Sequence, residues 1–227
     1  MLDLSIEAVE VTFPGLATPA LSIDSFHLPA GGHLAVTGAS GSGKSTLVNI
    51  LTGLERLKKG TIRWGGTDIA SLSESRRDRW RGETIGLVMQ DFHLFEGLSA
   101  LDNILLPARL ARVANAATVE RARELLTIVG LSRPEQKVET MSRGEMQRVA
   151  VARAIVRKPA VIIADEPTAS LDSESGAQVA ELIVTLAERE GSTLMVVSHD
   201  PALIERFDNR IRLVGGRIAQ ADAQVAA

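Results

Sequence analysis

The chain has 227 residues, 45% of them hydrophobic and 23% charged, with a formal net charge of −3. That length supports one large domain with a real core, and the acidic balance argues against nucleic-acid binding driven by charge alone. Cysteine is absent, which excludes disulfides and thiolate metal sites.

The first elements are β in character. Residues 2–13 and 21–28 alternate apolar and polar, with punctuation at Pro14-Gly15 and from Pro29 to Gly32. They predict strands of an antiparallel edge sheet. LAVT (34–37) is a short apolar strand ahead of a glycine-rich turn, and TLVNILTGL (46–54) predicts a helix ending near Gly53. TIRW (61–64) predicts another strand, and the cluster Arg76, Arg77, Arg79 and Arg81 predicts a solvated helix face. IGLVM (85–89), VIIAD (161–165) and LMVVS (194–198) are continuous apolar runs, as in strands buried on both faces of a parallel sheet. Helical patterns lie between them. One starts at Ser99 with Asp102 as a capping signal; the others are 119–129, 146–158 and 178–190. The tail, 219–227, predicts a frayed end.

Strand–helix alternation with buried strands predicts an α/β fold with a mainly parallel sheet. One domain is expected over 1–227. Residues 1–90 and 159–227 would form its core with an N-terminal antiparallel β subdomain, and about 91–158, which shows helical patterns and no strand, a helical insertion. No apolar run approaches the roughly 18 residues that span a bilayer. The start, MLDLSIEAVEVTF, lacks the regions of a secretion signal. The chain is therefore expected to be soluble and cytoplasmic, reaching any membrane through a partner.

GASGSGKST (38–46) follows a strand and opens a helix. It matches the phosphate-loop pattern G-x-x-x-x-G-K-[ST] in full, with Gly38, Gly43, Lys44 and Ser45. Such a loop, here also Ala39, Ser40, Gly41, Ser42 and Thr46, turns backbone N–H groups and a helix N-terminus toward phosphate oxygens. Lys44 is expected on the β- and γ-phosphates and the Ser45 hydroxyl on Mg²⁺. VIIADEP ends a buried strand in two acids. Asp165 fits the Mg²⁺-holding acid of a phosphate-loop nucleoside triphosphatase. Glu166, one residue on, points differently and suits a general base for attacking water. Gln90 and His199 each follow an apolar strand. Gln90 either senses the γ-phosphate and metal or is a plain strand end; His199 either reaches the same phosphate or caps the next helix. Phe13 either stacks on adenine or is a core residue. His27, His33 and His93 share no metal-ligand spacing.

In this order and spacing, the motifs resemble the nucleotide-binding subunit of an ATP-binding-cassette (ABC) transporter, over nearly the whole chain. GASGSGKS is similar to its Walker A motif and VIIADE to its Walker B with the following glutamate. Gln90 matches the Q-loop, SLD (170–172) the D-loop and His199 the switch histidine. MSRGEMQR (141–148) lies where the family signature belongs. The resemblance implies a P-loop NTPase core, ATP and Mg²⁺, and a head-to-tail homodimer or pseudo-dimer. In that dimer Ser142, Gly144 and Glu145 of one copy would cap the γ-phosphate held by the other. Closure would follow ATP binding, and opening would follow hydrolysis.

The signature departs from the family pattern. Met141 replaces Leu, Glu145 replaces Gln, and Arg143 replaces the first Gly. Arg143 is strained if that position needs a glycine-only angle; otherwise its guanidinium is free to act near the phosphate or across the interface. Residues 79–111 resemble the branch that holds lipoprotein-releasing, macrolide-exporting and cell-division ATPases. This implies transmembrane permease subunits docking near Gln90, Phe92, Leu94 and Phe95, a site peripheral on the inner face of the cell membrane, and no nucleic acid. The alternative packing of these apolar residues is into the helical insertion. The alternative function is a mechanical ATPase that controls a periplasmic enzyme through a membrane partner without moving cargo.

Overall fold

The computed structural model describes residues 1–221. Strands β1 (Leu4–Val11) and β2 (Leu21–Leu28) pair antiparallel, with Ile6 opposite Phe26. β3 (His33–Gly38) leads through the glycine loop into α1 (Lys44–Leu51). β4 (Lys59–Trp64) and β5 (Thr67–Asp68) return to the first sheet, whose order is β2-β1-β4-β5. α2 (Glu74–Thr84) precedes β6 (Ile85–Val88), and three helices follow: α3 (Ala100–Leu110), α4 (Ala116–Ile128) and α5 (Arg143–Ile155). β7 (Val161–Asp165), α6 (Ser173–Glu190), β8 (Thr193–Val197), the short α7 (Pro201–Ile204), β9 (Asn209–Val214) and β10 (Arg217–Ala221) complete the order.

The second sheet runs β10-β9-β3-β8-β7-β6 and is parallel except for the β9–β10 hairpin. Its central strands separate two hydrophobic cores. Val161 and Ile163 of β7, with Met195 and Val197 of β8, face a core shared with α1 and the antiparallel sheet. Ile162, Ala164, Leu194 and Val196 face a second core built from α3 to α6. Successive side chains of a strand point to opposite faces. A strand with a core on each side therefore reads as an unbroken apolar run, which is why these segments were legible.

Helix starts follow side-chain caps more closely than apolar periodicity. Ser99 caps α3, its Oγ accepting from the Asp102 N–H at 3.1 Å, as expected. α5 starts three residues before the predicted 146, because Ser142 and Glu145 form a reciprocal capping box. α6 starts at Ser173, ahead of the predicted 178, because the Asp172 carboxylate accepts from the Ser175 N–H at 2.9 Å. α1 begins at Lys44, and Gly53 lies just past its end with φ +67°.

Three expectations need correction. Arg77 is not on a solvated face: it is 8% exposed, and its Nε–H donates to the Gly53 carbonyl at 2.9 Å. Arg81 shares that carbonyl at 3.0 Å, and Trp64 Nε1–H donates to the Leu51 carbonyl at 3.0 Å, so side chains from two elements close the end of α1. Residues 209–221, for which no strand was expected, form the β9–β10 hairpin around Gly215-Gly216, both at positive φ. The expected frayed tail is thus a strand through Ala221, and the rest of that stretch, 222–227, lies outside the described residues.

Candidate nucleotide-binding site

The phosphate loop is shaped by what glycine alone permits. Gly43 has φ +103°, and a Cβ there would lie 2.7 Å from the Ala20 carbonyl oxygen. A Cβ on Gly38 would lie 2.4 Å from Ser42 Oγ and 2.6 Å from the Leu213 oxygen. The loop is braced from below, where the Gly216 N–H donates to the Ser42 carbonyl at 3.0 Å and the Gly216 carbonyl accepts from the Ser22 N–H at 2.7 Å. Ser42 is buried under the loop, its hydroxyl without a hydrogen-bond partner among the described residues. Ser42 therefore shapes the cradle from beneath, whereas Ala39, Ser40, Gly41, Ser45 and Thr46 line it.

Among the described residues no side chain caps α1, so its first N–H groups remain open toward the loop. Lys44 Nζ donates to the Gly38 carbonyl at 2.8 Å and to Ala39 at 3.1 Å. This ammonium, held by carbonyls over an uncapped helix N-terminus, fits an incoming phosphate chain.

The opposite wall comes from β7 and β8. Parallel pairing sets Asp165 beside Val197, and β8 lies between β3 and β7, so the loop and the acids converge at the same sheet edge. Burial and the neighbouring Glu166 charge push the Asp165 carboxyl above its ordinary range, and Lys44 pulls it the other way. A half-buried carboxylate held up in this way favours a cation nearby. Ser45 and Gln90 line the same cleft, and three oxygen-bearing side chains of this kind fit Mg²⁺, which keeps waters and takes substrate phosphates as ligands.

Glu166 leaves the strand with φ +48°, a left-handed angle uncommon for a residue with a side chain. Its N–H still donates to the Val197 carbonyl at 2.8 Å. Its Oε2 lies 2.8 Å from His199 Nδ1. The turn thus brings the carboxylate to His199 just past the end of β8. Gln90, Asp165, Glu166 and His199 line one cleft of about 600 Å³ with the phosphate loop.

The other predicted residues lie elsewhere. Phe13 is half-buried against the core of the antiparallel sheet and does not line the cleft. The signature residues are also off the cleft of their own chain. Ser142 Oγ accepts from the Glu145 N–H at 3.2 Å, and the Glu145 carboxylate accepts from the Ser142 N–H at 2.8 Å. Gly144 is buried, and a Cβ there would lie 3.0 Å from Ser175 Oγ, so α5 and α6 approach closely. Arg143 is the first residue of α5 and has no positive φ, so it is not strained. Its side chain lies over Phe92 and donates to Ser170.

The apolar loop after Gln90 divides. Leu94 packs against the helical core, while Phe95 is 56% exposed on a fixed backbone. Buried Asn103 accepts from the Phe95 N–H at 2.8 Å and donates to its carbonyl at 3.1 Å. Arg153 donates to the Phe92 carbonyl at 2.7 Å and also to that of His93.

Sequence reasoning missed four positioning residues: Gly216, Asn103, Arg153 and Gln147. Gln147, fully buried, donates from Nε2 to the Pro167 carbonyl at 2.8 Å and so ties α5 to the turn after Glu166. Only Gly216 carried a readable signal, as part of a Gly-Gly hairpin turn between alternating segments.

The profile of the ABC transporter family matches residues 21–169. The lipoprotein-releasing system ATP-binding protein LolD of Syntrophotalea carbinolica is 43% identical over 199 residues, covering 87% of this chain and 88% of that protein. LolD of Hydrogenovibrio crunogenus is 40% identical over 202 residues, covering 88% of each. Among solved structures, the ATP-binding cassette MJ0796, described as a dimer in a post-hydrolysis state bound to ADP and Pi, superposes with a TM-score of 0.87. It is 31% identical, with 96% of this chain and 97% of that one covered. Phosphate loop, paired acids and profile agree, and the chain belongs to the ABC transporter family as an ATP-binding subunit whose ATPase activity is coupled to transport.

Proposed function

We propose that this ATPase energises a permease of the lipoprotein-release type, from the inner face of the membrane and as a dimer of cassettes. The observation that carries the catalytic reading is the Glu166–His199 contact of 2.8 Å in the same cleft as Lys44. Lys44 and the N–H groups of the loop neutralise the phosphates of ATP. The Glu166 carboxylate takes a proton from water as the water oxygen bonds to the γ-phosphorus. The bond from that phosphorus to the β–γ bridging oxygen breaks, leaving ADP and phosphate. His199, bonded to one Glu166 oxygen, leaves the other free for water and contacts the γ-phosphate. Mg²⁺, held by Ser45, Asp165 and Gln90, would supply charge neutralisation at the phosphates.

Residues 91–158 would act as a helical subdomain that presents the signature to a second copy. Its Ser142 hydroxyl, the Gly144 N–H and the positive end of α5 would cover the γ-phosphate left open in a single cassette. Glu145, committed to the capping box, contributes through α5 rather than directly. Gln90, Phe92 and Phe95 would meet the permease, and Phe95 supports this best: an exposed ring on a backbone held by Asn103 is a ready anchor for a partner groove. The names of the LolD relatives support lipoproteins as cargo.

The test is Glu166→Gln. ATPase activity should fall at least about 10²-fold, the scale of losing a general base, while ATP still binds. Light scattering should then show a dimer only with Mg-ATP. Retained turnover removes Glu166 from its role, and a monomer under all conditions removes the two-copy site.

A further inference from the structure

Arg143 stands at the one signature position that departs most from the family pattern, and its side chain turns back onto its own chain. Its Nε–H donates to the Ser170 carbonyl at 2.9 Å. Its guanidinium carbon lies 5.1 Å from the centroid of the Phe92 ring. Ser170 belongs to the tight turn that begins at Glu166: the Ala169 N–H donates to the Glu166 carbonyl at 3.2 Å, and the Leu171 N–H to that of Thr168 at 3.1 Å. Phe92 lies two residues past Gln90 on a backbone that Arg153 holds. One guanidinium therefore joins the segment behind Gln90 to the segment behind Glu166.

The chemistry suits arginine alone. A planar guanidinium stacks on a ring through its face and donates in its own plane at the same time. A lysine ammonium keeps the charge but not the flat face with an in-plane donor. Because both contacts use one group, loss of the ring contact loosens the carbonyl contact as well.

We propose that Arg143 is a positioning residue that couples the Gln90–Phe92 loop to the Glu166–Ser170 turn, so that a permease seated on Phe92 changes the rate of ATP hydrolysis without changing the affinity for ATP. This rests on the ATPase reading above and adds to it the route by which docking is felt at the cleft. The turn carries the general base, so a looser turn lowers the fraction of time Glu166 faces the attacking water. The Lys44 loop, which binds ATP, lies on another strand and is left unchanged.

The experiment uses the nucleotide-free full chain as native, Arg143→Gln, Arg143→Lys, Phe92→Leu and the Arg143→Gln/Phe92→Leu double variant. Hydrogen exchange is read at the Ala169 and Leu171 amides, and steady-state ATPase is read as kcat and KM. Arg143 is exposed and the half-buried Phe92 is replaced by another apolar residue, so all variants should fold; thermal midpoints check this. Exchange should quicken about fivefold in Arg143→Gln, the scale of one hydrogen bond. Arg143→Lys should resemble Arg143→Gln, Phe92→Leu should fall between, and the double variant should exchange no faster than Arg143→Gln alone. In the arginine variants kcat should fall with KM unchanged.

Native-rate exchange in Arg143→Gln, factors that multiply in the double variant, or a raised KM with unchanged kcat would each overturn the proposal. A native chain that hydrolyses no ATP would instead sink the ATPase reading, and the exchange data would still judge the bridge by itself.

Discussion

Replacing Arg77 by Ala removes a side chain that closes the end of the helix carrying the phosphate loop. The lost bond, Nε–H to the Gly53 carbonyl at 2.9 Å, is buried and charge-assisted. Bonds of that class contribute about 1.5–3 kcal/mol. Arg81 still donates to the same carbonyl at 3.0 Å, so the acceptor is not orphaned and the lower figure applies. The aliphatic stem of Arg77 also covers Gly53, where a Cβ would lie 2.7 Å from Arg77 Cγ. Losing the burial of about two stem methylenes costs about 1–2 kcal/mol at roughly 0.8 kcal/mol per methylene. The sum is about 3 kcal/mol, or a fall in melting temperature of about 6–12 °C for a chain of this size. Arg77→Met restores the stem without the donor and should lose about half as much. Differential scanning calorimetry of the three proteins decides. An Arg77→Ala midpoint within about 1 °C of native would refute the buried-cap argument. A Met variant as unstable as the Ala variant would refute its packing half.

Lys44→Ala should weaken ATP binding about 30-fold or more, the scale of truncating one partner of a close charge contact; isothermal titration with native-like affinity would remove Lys44 from the phosphates. Asp165→Asn should stabilise the nucleotide-free protein at neutral pH. The folded-state pKa of Asp165 is raised, so its ionisation opposes folding as pH rises, and the gain in the variant should grow with pH and vanish below the ordinary carboxylate range; a gain that is the same at acidic and neutral pH contradicts this. Phe95→Ser should leave basal ATPase intact and abolish its stimulation by the permease in vesicles. A loss of basal activity would make Phe95 a structural residue instead.

The chemistry of this cleft was legible because its residue types have few alternatives. Gly43 at φ +103° and a lysine one residue later are what a phosphate cradle demands. The buried strands were legible because a core on each face forbids polar residues. What stayed hidden depends on tertiary partners. Arg77 among other arginines looks solvated until Gly53 is brought against it. Asn103 and Gln147 look like ordinary polar positions on amphipathic helices, yet each is fully buried because a loop carbonyl comes to meet it. The β9–β10 hairpin was legible in principle, since Ile211 and Leu213 alternate with polar neighbours before Gly215-Gly216.

The position of β3 has a consequence for synthesis. Both its neighbours, β8 and β9, come from Thr193 onward, although β3 ends at Gly38. At about 5–20 residues per second, a ribosome takes roughly 8–30 s to make the intervening chain. Throughout that interval the phosphate-loop strand has no partner on either edge, and the Gly216 brace does not yet exist. The cradle around the phosphate loop is therefore completed only when the C-terminal strands have been made.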